Sequence, residues 1–175
     1  MKKILVLFVV ACFSLTQLNA QTSTFDKGDK VLNLGLGLGS SLYSGGGIIP
    51  PLSASLEVGV VDNIAEKGVI GVGGYLGFAS YGHTGYYKVT NIIIGPRGTF
   101  HYPLVDKLDT YAGLMIGYNV VSYHWTGIEG IAGSSSGLVS SFFIGGRYYF
   151  SDAMAAMLEL GYGVSYLNIG VAFKF

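Results

Sequence analysis

The feature that most constrains the fold is a strict two-residue alternation in the last nine residues of the chain. Every second position there is apolar, and small or polar side chains fill the positions between; the apolar residues are Leu167, Ile169, Val171, Phe173 and Phe175. Since successive side chains of a strand point to opposite faces, this pattern predicts a strand with one apolar face. The apolar face runs to the final residue, which is typical of a strand between lipid and a narrow lumen.

Composition favours a membrane-spanning sheet over a soluble domain. Hydrophobic residues make up 50% of the 175 residues and charged residues 11%, against about 25% charged in ordinary soluble domains. The chain contains 28 glycines, 13 tyrosines and 10 phenylalanines. Beyond the N-terminus no apolar run is long enough for a membrane-spanning helix. A closed β-barrel is the other structure that satisfies all backbone polar groups in lipid, so it is the predicted architecture.

The first twenty residues have the organisation of a secretory signal peptide. Lys2 and Lys3 form a charged start, residues 4–13 an apolar middle, and residues 18–20 a cleavage site. The sequence thus predicts a signal peptide at 1–20, a polar arm at 21–30 and a barrel domain at 31–175. Loss of the two lysines leaves 8 Lys/Arg against 10 Asp/Glu, a net charge of −2. A chain with this net charge lacks the excess of positive charge that is typical of nucleic-acid-binding proteins.

The only cysteine, Cys12, lies within the predicted signal peptide. The processed chain would then have neither a free thiol nor a disulfide. An alternative is that Val-Val-Ala-Cys at 9–12 is a lipoprotein processing box, with Cys12 as the lipidated first residue. The apolar region continues past Cys12 and a second cleavage site follows, which favours the signal peptide.

Eight segments with strand-like alternation follow the arm, at 31–40, 52–61, 69–80, 87–102, 110–123, 138–150, 155–162 and 167–175. The count is even, as single-chain bacterial barrels require. Connections after the first, third and fifth segments are long or rich in glycine and serine, while those after the second, fourth and sixth are compact and charged. This alternation matches long outer loops and short periplasmic turns. The prediction is an all-β fold, an eight-stranded antiparallel up-and-down transmembrane β-barrel with both mature termini in the periplasm.

The pattern resembles a known family. The stretches that show the resemblance are residues 92–102 (IIIGPRGTFHY), 144–150 (IGGRYYF), 159–163 (ELGYG) and the terminal Phe175. These stretches are similar to the small eight-stranded outer-membrane barrels of Gram-negative bacteria, the OmpA/OmpX-like family. The resemblance implies an outer-membrane location, contact with outer-membrane lipid, and recognition of Phe173 and Phe175 by the barrel-assembly machinery. It leaves function open, because the family includes structural proteins, adhesins, lipid-modifying enzymes and small pores.

Five charged residues fall on the predicted inner face: Glu57, Arg97, Arg147, Glu159 and Lys174. The first four lie at similar distances from their nearest short turn, so we expect them at similar height. Buried charges are tolerated when they are paired. The sequence therefore predicts a structural lumen charge network that plugs the barrel, with Arg147 and Glu159 on neighbouring strands. The alternative is a narrow, selective pore.

Neither a metal site, a cofactor nor a catalytic site is predicted. His101 is expected inside the lumen as a hydrogen-bonded residue, and no histidine pair has metal-ligand spacing with a carboxylate or thiolate. Lipid-modifying members of the resembled family need a histidine and a serine near the outer rim. His124 with Ser122 or Ser140 is the candidate grouping. The alternative is that His124 and Trp125 belong to an interfacial aromatic belt.

The leading functional hypothesis is a non-enzymatic structural or surface-interaction protein of the outer membrane. It would contact an extracellular ligand or host surface through loops at 41–50, 80–86 and 124–137. A narrow solute channel is the second hypothesis and an outer-leaflet lipid-modifying enzyme the third. A soluble barrel carrying a hydrophobic ligand would need apolar residues inside and polar ones outside, the reverse of what the inward charges indicate.

Overall fold

The computed structural model describes residues 24–42, 47–83, 86–125 and 136–175. These residues form eight strands: β1 (Lys30–Leu38), β2 (Gly47–Ile64), β3 (Gly68–His83), β4 (Tyr87–Val105), β5 (Leu108–Trp125), β6 (Gly137–Tyr149), β7 (Met154–Tyr162) and β8 (Leu167–Lys174). Each strand pairs antiparallel with its chain neighbours and β8 pairs with β1, so the sheet closes into a barrel. The predicted fold class, an eight-stranded antiparallel up-and-down barrel, is confirmed.

Two predicted features lie outside this part of the chain. The predicted signal peptide, with Cys12 inside it, precedes the first described residue. The centres of the predicted loops, at 43–46, 84–85 and 126–135, also fall outside the described ranges. Within those ranges, no helix has the length and apolar character needed to cross a membrane.

The two ends of the barrel differ. One end carries the short connections at 65–67, 106–107 and 150–153 together with the residues before β1 and after β8; we call it the turn end. The other connections lie at the opposite end, the loop end. The seam between first and last strands is completed at the turn end by two backbone hydrogen bonds of 3.0 and 3.3 Å between Lys30 and Phe175.

Side chains alternate between the lumen and the outer surface along each strand. On β5 the inward Tyr111 and Met115 are buried, whereas the outward Leu114 and Ile116 are 67% and 64% exposed. The outward positions of β5 between residues 112 and 120 carry no charge. Exposed apolar side chains in an uncharged band are expected where lipid covers a strand.

Several strands are longer than the alternation predicted. β2 begins at Gly47 instead of Leu52, β4 ends at Val105, and β5 starts at Leu108 and reaches Trp125. Parts of the predicted loops at 41–50, 80–86 and 124–137 are therefore strand. Isoleucine, tyrosine and tryptophan in these parts favour extended backbone, and glycine and serine in the same stretches obscure that preference in the sequence.

At the loop end, β3, β4 and β5 stay paired with one another beyond the point where β6 stops, and β2 pairs with β3 as far as Tyr81. The pairing of β5 with β6 stops at Asn119 opposite Gly137, whereas the pairing of β4 with β5 continues to Tyr87 opposite Trp125. This difference is about 20 Å along β5 at roughly 3.3 Å per residue. We call the extension, residues 79–83, 87–91 and 120–125, the outer wall.

Candidate functional site

Four charged side chains form a closed ring across the lumen near the turn end, which we call the ionic ring: Glu57, His101, Asp109 and Arg147. His101 places Nε2 2.7 Å from a Glu57 carboxylate oxygen and Nδ1 2.8 Å from an Asp109 oxygen. Arg147 donates to Asp109 at 3.1 Å and also to Glu57. Each carboxylate thus bridges the imidazole and the guanidinium, and the ring joins β2, β4, β5 and β6.

The contacts of His101 indicate the charge of the ionic ring. An ionised carboxylate only accepts hydrogen bonds, so each imidazole nitrogen that faces one must carry a proton. With His101 as an imidazolium, two positive groups balance two negative groups. Every member is at most 1% exposed, and full mutual pairing is what allows charges to be buried this deeply.

A second charged pair, Arg97 and Glu159, lies closer to the loop end; we call it the upper pair. Arg97 donates to Glu159 at 2.7 Å and to Ser55 at 3.2 Å. Glu159 also accepts hydrogen bonds from the Tyr111 hydroxyl at 2.9 Å and from the Asn168 amide at 3.3 Å. The carboxylate of Glu159 therefore has three donors, from β4, β5 and β8.

Tyr111 connects the two levels of charge. Its hydroxyl binds Glu159 of the upper pair, while the Arg147 guanidinium lies 4.6 Å from the centre of its ring. Gly145 makes room for this ring, because a Cβ at that position would lie 2.7 Å from the Tyr111 side chain. A glycine inside a periodic strand thus has a packing role here.

Above the upper pair, apolar side chains fill the lumen: Ile93, Met115, Phe143 and Val164. Val164 comes from the short β7–β8 connection and is 5% exposed, so this connection folds into the barrel instead of over its rim. A cavity of about 30 Å³ remains beside Arg97, which is room for one or two water molecules. The Nε of Arg97 is buried and has no hydrogen-bond partner among the residues that the structure describes.

The structure separates the five predicted lumen charges into three places. Glu57 and Arg147 belong to the ionic ring, and Arg97 and Glu159 form the upper pair, so the four charges form two sets of ion pairs. Arg147 and Glu159 do lie on neighbouring strands. Arg147, however, forms its ion pairs with Asp109, directly opposite on β5, and with Glu57 across the lumen. Glu159 forms its ion pair with Arg97. Lys174 joins neither group. Its ammonium lies 3.6 Å from Asp29, in the segment before β1.

Sequence reasoning missed Asp109, because β5 was predicted to begin one residue after it. The alternation itself contained the signal. Tyr111 and Gly113 fall on the inward parity of the segment at 110–123, and continuing that parity back along the strand places Asp109 in the lumen too. Asp109 is 1% exposed, and it supplies the ionic ring with one of its two carboxylates.

The structure separates one of the two candidate serine–histidine pairs at the outer rim, His124 with Ser140. Ser140 pairs with Ile116, which lies eight positions before His124 on β5, so these two side chains are far apart along the strand. Ser122 and His124 are both exposed on the outward face of β5. Among the described residues, no group of three or more His, Cys, Asp or Glu side chains is arranged to hold a metal ion.

A closed antiparallel barrel with an apolar, uncharged outer band and paired charges inside defines a class of protein. The outside suits lipid, and the interior of an eight-stranded barrel is just wide enough for side chains to fill. The fold is that of a small eight-stranded transmembrane β-barrel.

Comparison with solved structures gives the same class. The N-terminal β-barrel domain of Pseudomonas aeruginosa OprF matches 85% of this chain and 98% of its own at 14% identity, with a TM-score of 0.56. Ail, the attachment invasion locus protein of Yersinia pestis, in complex with the heparin analogue sucrose octasulfate, matches 85% and 99% at 11% identity, also with a TM-score of 0.56. No protein-family model and no curated protein matches the sequence. At these identities the likeness establishes the fold.

Proposed function

We propose that this protein is a non-enzymatic outer-membrane barrel whose filled lumen makes it a rigid anchor and whose outer wall is an interaction surface. In this proposal the turn end faces the periplasm and the loop end faces the outside, as in bacterial barrels with short periplasmic turns. The observation that carries the proposal is the contrast between a packed lumen and the aromatic outer wall that projects from it.

The packing of the lumen supports an anchor over a solute channel. Along the barrel axis, the lumen contains the ionic ring, then Tyr111, then the upper pair, then the apolar layer with Phe143 and Val164. Interiors of eight-stranded barrels are just wide enough for side chains to fill. Opening a path would require breaking fully buried ion pairs, which leaves uncompensated charges.

The outer wall supports a role in surface interaction. Its inward face carries the aromatic side chains Tyr81, Tyr87, Tyr123 and Trp125. They continue the parity of a buried residue on each strand, Ala79 of β3, Ile93 of β4 and Met115 of β5. Tyr87 and Trp125 are cross-strand partners with ring centroids 5.5 Å apart. An interfacial aromatic belt consists of side chains that face lipid. Because the ring of Trp125 points toward the barrel axis, it is poorly placed for such a belt. Tyrosine and tryptophan provide large, rigid and amphipathic contact area for partners.

The charge of the outer wall favours an uncharged partner. Lys88 points to the outward face, and the described inward side chains of the wall are aromatic, aliphatic or amide groups. A flat, uncharged ligand with apolar faces, such as a ring of a neutral polysaccharide, suits stacking on Tyr87 and Trp125. Ail was crystallised with a highly anionic ligand, and the described wall of this chain lacks the basic cluster that such a ligand needs.

Trp125 provides the test, because it is the only tryptophan in the chain. We expect its fluorescence in the folded protein to change on titration with neutral oligosaccharides and to stay constant with sucrose octasulfate. Tyr87→Ala should weaken that binding by about tenfold or more, as for an aromatic hot spot. Tyr118→Ala, on the lipid face, is the control that should leave binding unchanged. A response to the anionic sugar alone would contradict the proposed ligand class.

The enzyme hypothesis has less support than the interaction hypothesis. His124 and Ser140 lie far apart along the barrel wall, and the buried His101 is held by two carboxylates. A hydrolytic base needs a free nitrogen within reach of its nucleophile and substrate. Deleting the protein should therefore leave the mass of the outer-leaflet lipid unchanged, and a changed mass would revive the enzyme hypothesis.

A further inference from the structure

The residues that precede β1 fold back into the turn end of the barrel. Phe25 is 2% exposed, and its ring centroid lies 4.1 Å from that of His101. The guanidinium of Arg147 lies 5.7 Å from the centre of the same ring. The side chain of Phe25 therefore covers the ionic ring where the lumen would otherwise open at this end.

The pocket around Phe25 is built by five strands. Its walls are Val31 of β1, Val69 of β3, Tyr149 of β6, Ala155 of β7 and Ala172 of β8. The floor consists of the two cationic groups, His101 and Arg147, and cations are attracted to the face of an aromatic ring. Because β1 and β8 meet only when the barrel closes, the pocket is complete only in the closed barrel.

The backbone of the arm is fastened to β2 at Gly59. Gly28 donates a hydrogen bond to the Gly59 carbonyl at 2.9 Å, and the Gly59 amide donates to Asp29 at 3.0 Å. A Cβ on Gly59 would lie 2.2 Å from the carbonyl oxygen of Asp26. Only glycine at this position allows the arm to pass so close.

A second fastening comes from the last strand. The ammonium of Lys174 lies 3.6 Å from a carboxylate oxygen of Asp29 and donates to the Thr24 carbonyl at 3.3 Å. This contact links the arm directly to the strand that closes the barrel. It also gives the inward Lys174 a role separate from that of the other lumen charges.

We propose that the turn-end mouth of the lumen is a binding pocket for an aromatic side chain, and that residues 24–29 are a tethered ligand that seats Phe25 in it. The arm is thus a stopper. Reagents and ions at the turn end reach the ionic ring only when the arm leaves. The inference does not depend on the proposed interaction surface, which lies at the other end of the barrel.

A single introduced cysteine tests the stopper. Ala155→Cys places a thiol in the buried cluster that contains Phe25, and the rate of its modification by a charged thiol reagent reports opening of the pocket. In the folded protein in detergent, we expect Phe25→Ala and Gly59→Ala each to raise this rate at least about tenfold, since each removes the buried ring from its pocket. Gly74→Ala should leave the rate unchanged, because an added Cβ there meets nothing within 4 Å.

Two further measurements make the outcome unambiguous. Asp152→Cys, in an exposed turn at the same end, corrects for the intrinsic reactivity of the reagent, and gel mobility before and after heating selects folded protein. Gly59→Ala displaces the arm without altering Phe25, so it serves if Phe25→Ala does not fold. The proposal is overturned if neither variant accelerates labelling at position 155, or if Gly74→Ala accelerates it equally.

Discussion

Arg147 and Glu57 are 90 positions apart in the sequence and form an ion pair inside the lumen, with both side chains fully buried. The same guanidinium binds Asp109, and the same carboxylate binds His101. Neither residue could be buried alone, because an unpaired charge in this environment costs several kcal/mol. The closed ring explains how a membrane barrel tolerates four ionisable groups at one level of its interior.

Removing the guanidinium should destabilise the barrel strongly. In Arg147→Met the carboxylates of Glu57 and Asp109 lose one of their two shared partners, so we expect the free energy of unfolding to fall by about 3–5 kcal/mol. Urea-induced unfolding in lipid vesicles measures this change. Lys88→Met, at an exposed position, is the matched control and should stay within about 0.5 kcal/mol of the parent. Equal effects of the two variants would contradict a paired ionic ring.

Exchanging the members of the upper pair should restore part of what single charge reversals lose. Arg97→Glu and Glu159→Arg each place like charges together in the lumen, and we expect each to destabilise the barrel by several kcal/mol. The double variant re-forms an opposite pair across β4 and β7, so its loss should be smaller than the sum of the single losses by about 1 kcal/mol or more. Additive losses would show that the two side chains do not interact.

Inward glycines should be intolerant where a large lumen side chain packs against them. A Cβ at Gly145 would lie 2.7 Å from the Tyr111 side chain, and such overpacking costs about 1–3 kcal/mol. Gly98, on the outward face, has nothing within 4 Å of the added atom. We therefore expect Gly145→Ala to lower the urea midpoint and Gly98→Ala to leave it nearly unchanged. If Gly98→Ala lowered the urea midpoint more than Gly145→Ala, the inward and outward faces of the strands would be the opposite of those described.

A cation on the outward face should be costly only where lipid covers it. Ile144 is 61% exposed, and in a water-soluble protein Ile144→Lys would be harmless. In a membrane it should cost about 2–4 kcal/mol near the mid-plane. Ser122→Lys, also outward but on the outer wall, should cost less than about 0.5 kcal/mol. If both lysines are tolerated in vesicles, the band around Ile144 does not contact lipid.

The sequence predicted the faces of the strands better than the contacts between them. Alternation with period two is local, and it predicts an inward position for Glu57, Arg97, Arg147 and Glu159, which the structure buries. Which of these charges meet depends on how the register shifts around the closed sheet, and no local pattern contains that information. The pairs Arg147–Glu57 and Arg97–Glu159 therefore required the structure.

Two residues at the turn end, Asp109 and Phe25, also show what local sequence patterns can and cannot predict. The inward position of Asp109 follows from the sequence if the alternation of β5 is extended by one residue toward the N-terminus. The predicted strand begins at residue 110 and therefore omits it. Phe25 was not recoverable, because it is a lone aromatic in a polar arm with no periodic neighbours. Its burial depends on Gly59 and on a pocket drawn from five strands, contacts that form only when the barrel has closed.

The most direct test of the central claim, a membrane barrel with a filled lumen, is conductance in planar lipid bilayers. The protein should first be shown to be folded by its heat-dependent gel mobility. With the ionic ring, the upper pair and the apolar layer in place, we expect no discrete current steps above the bare bilayer. Steady current steps from the wild-type protein that disappear in Arg97→Glu would contradict the account and establish a channel through the lumen.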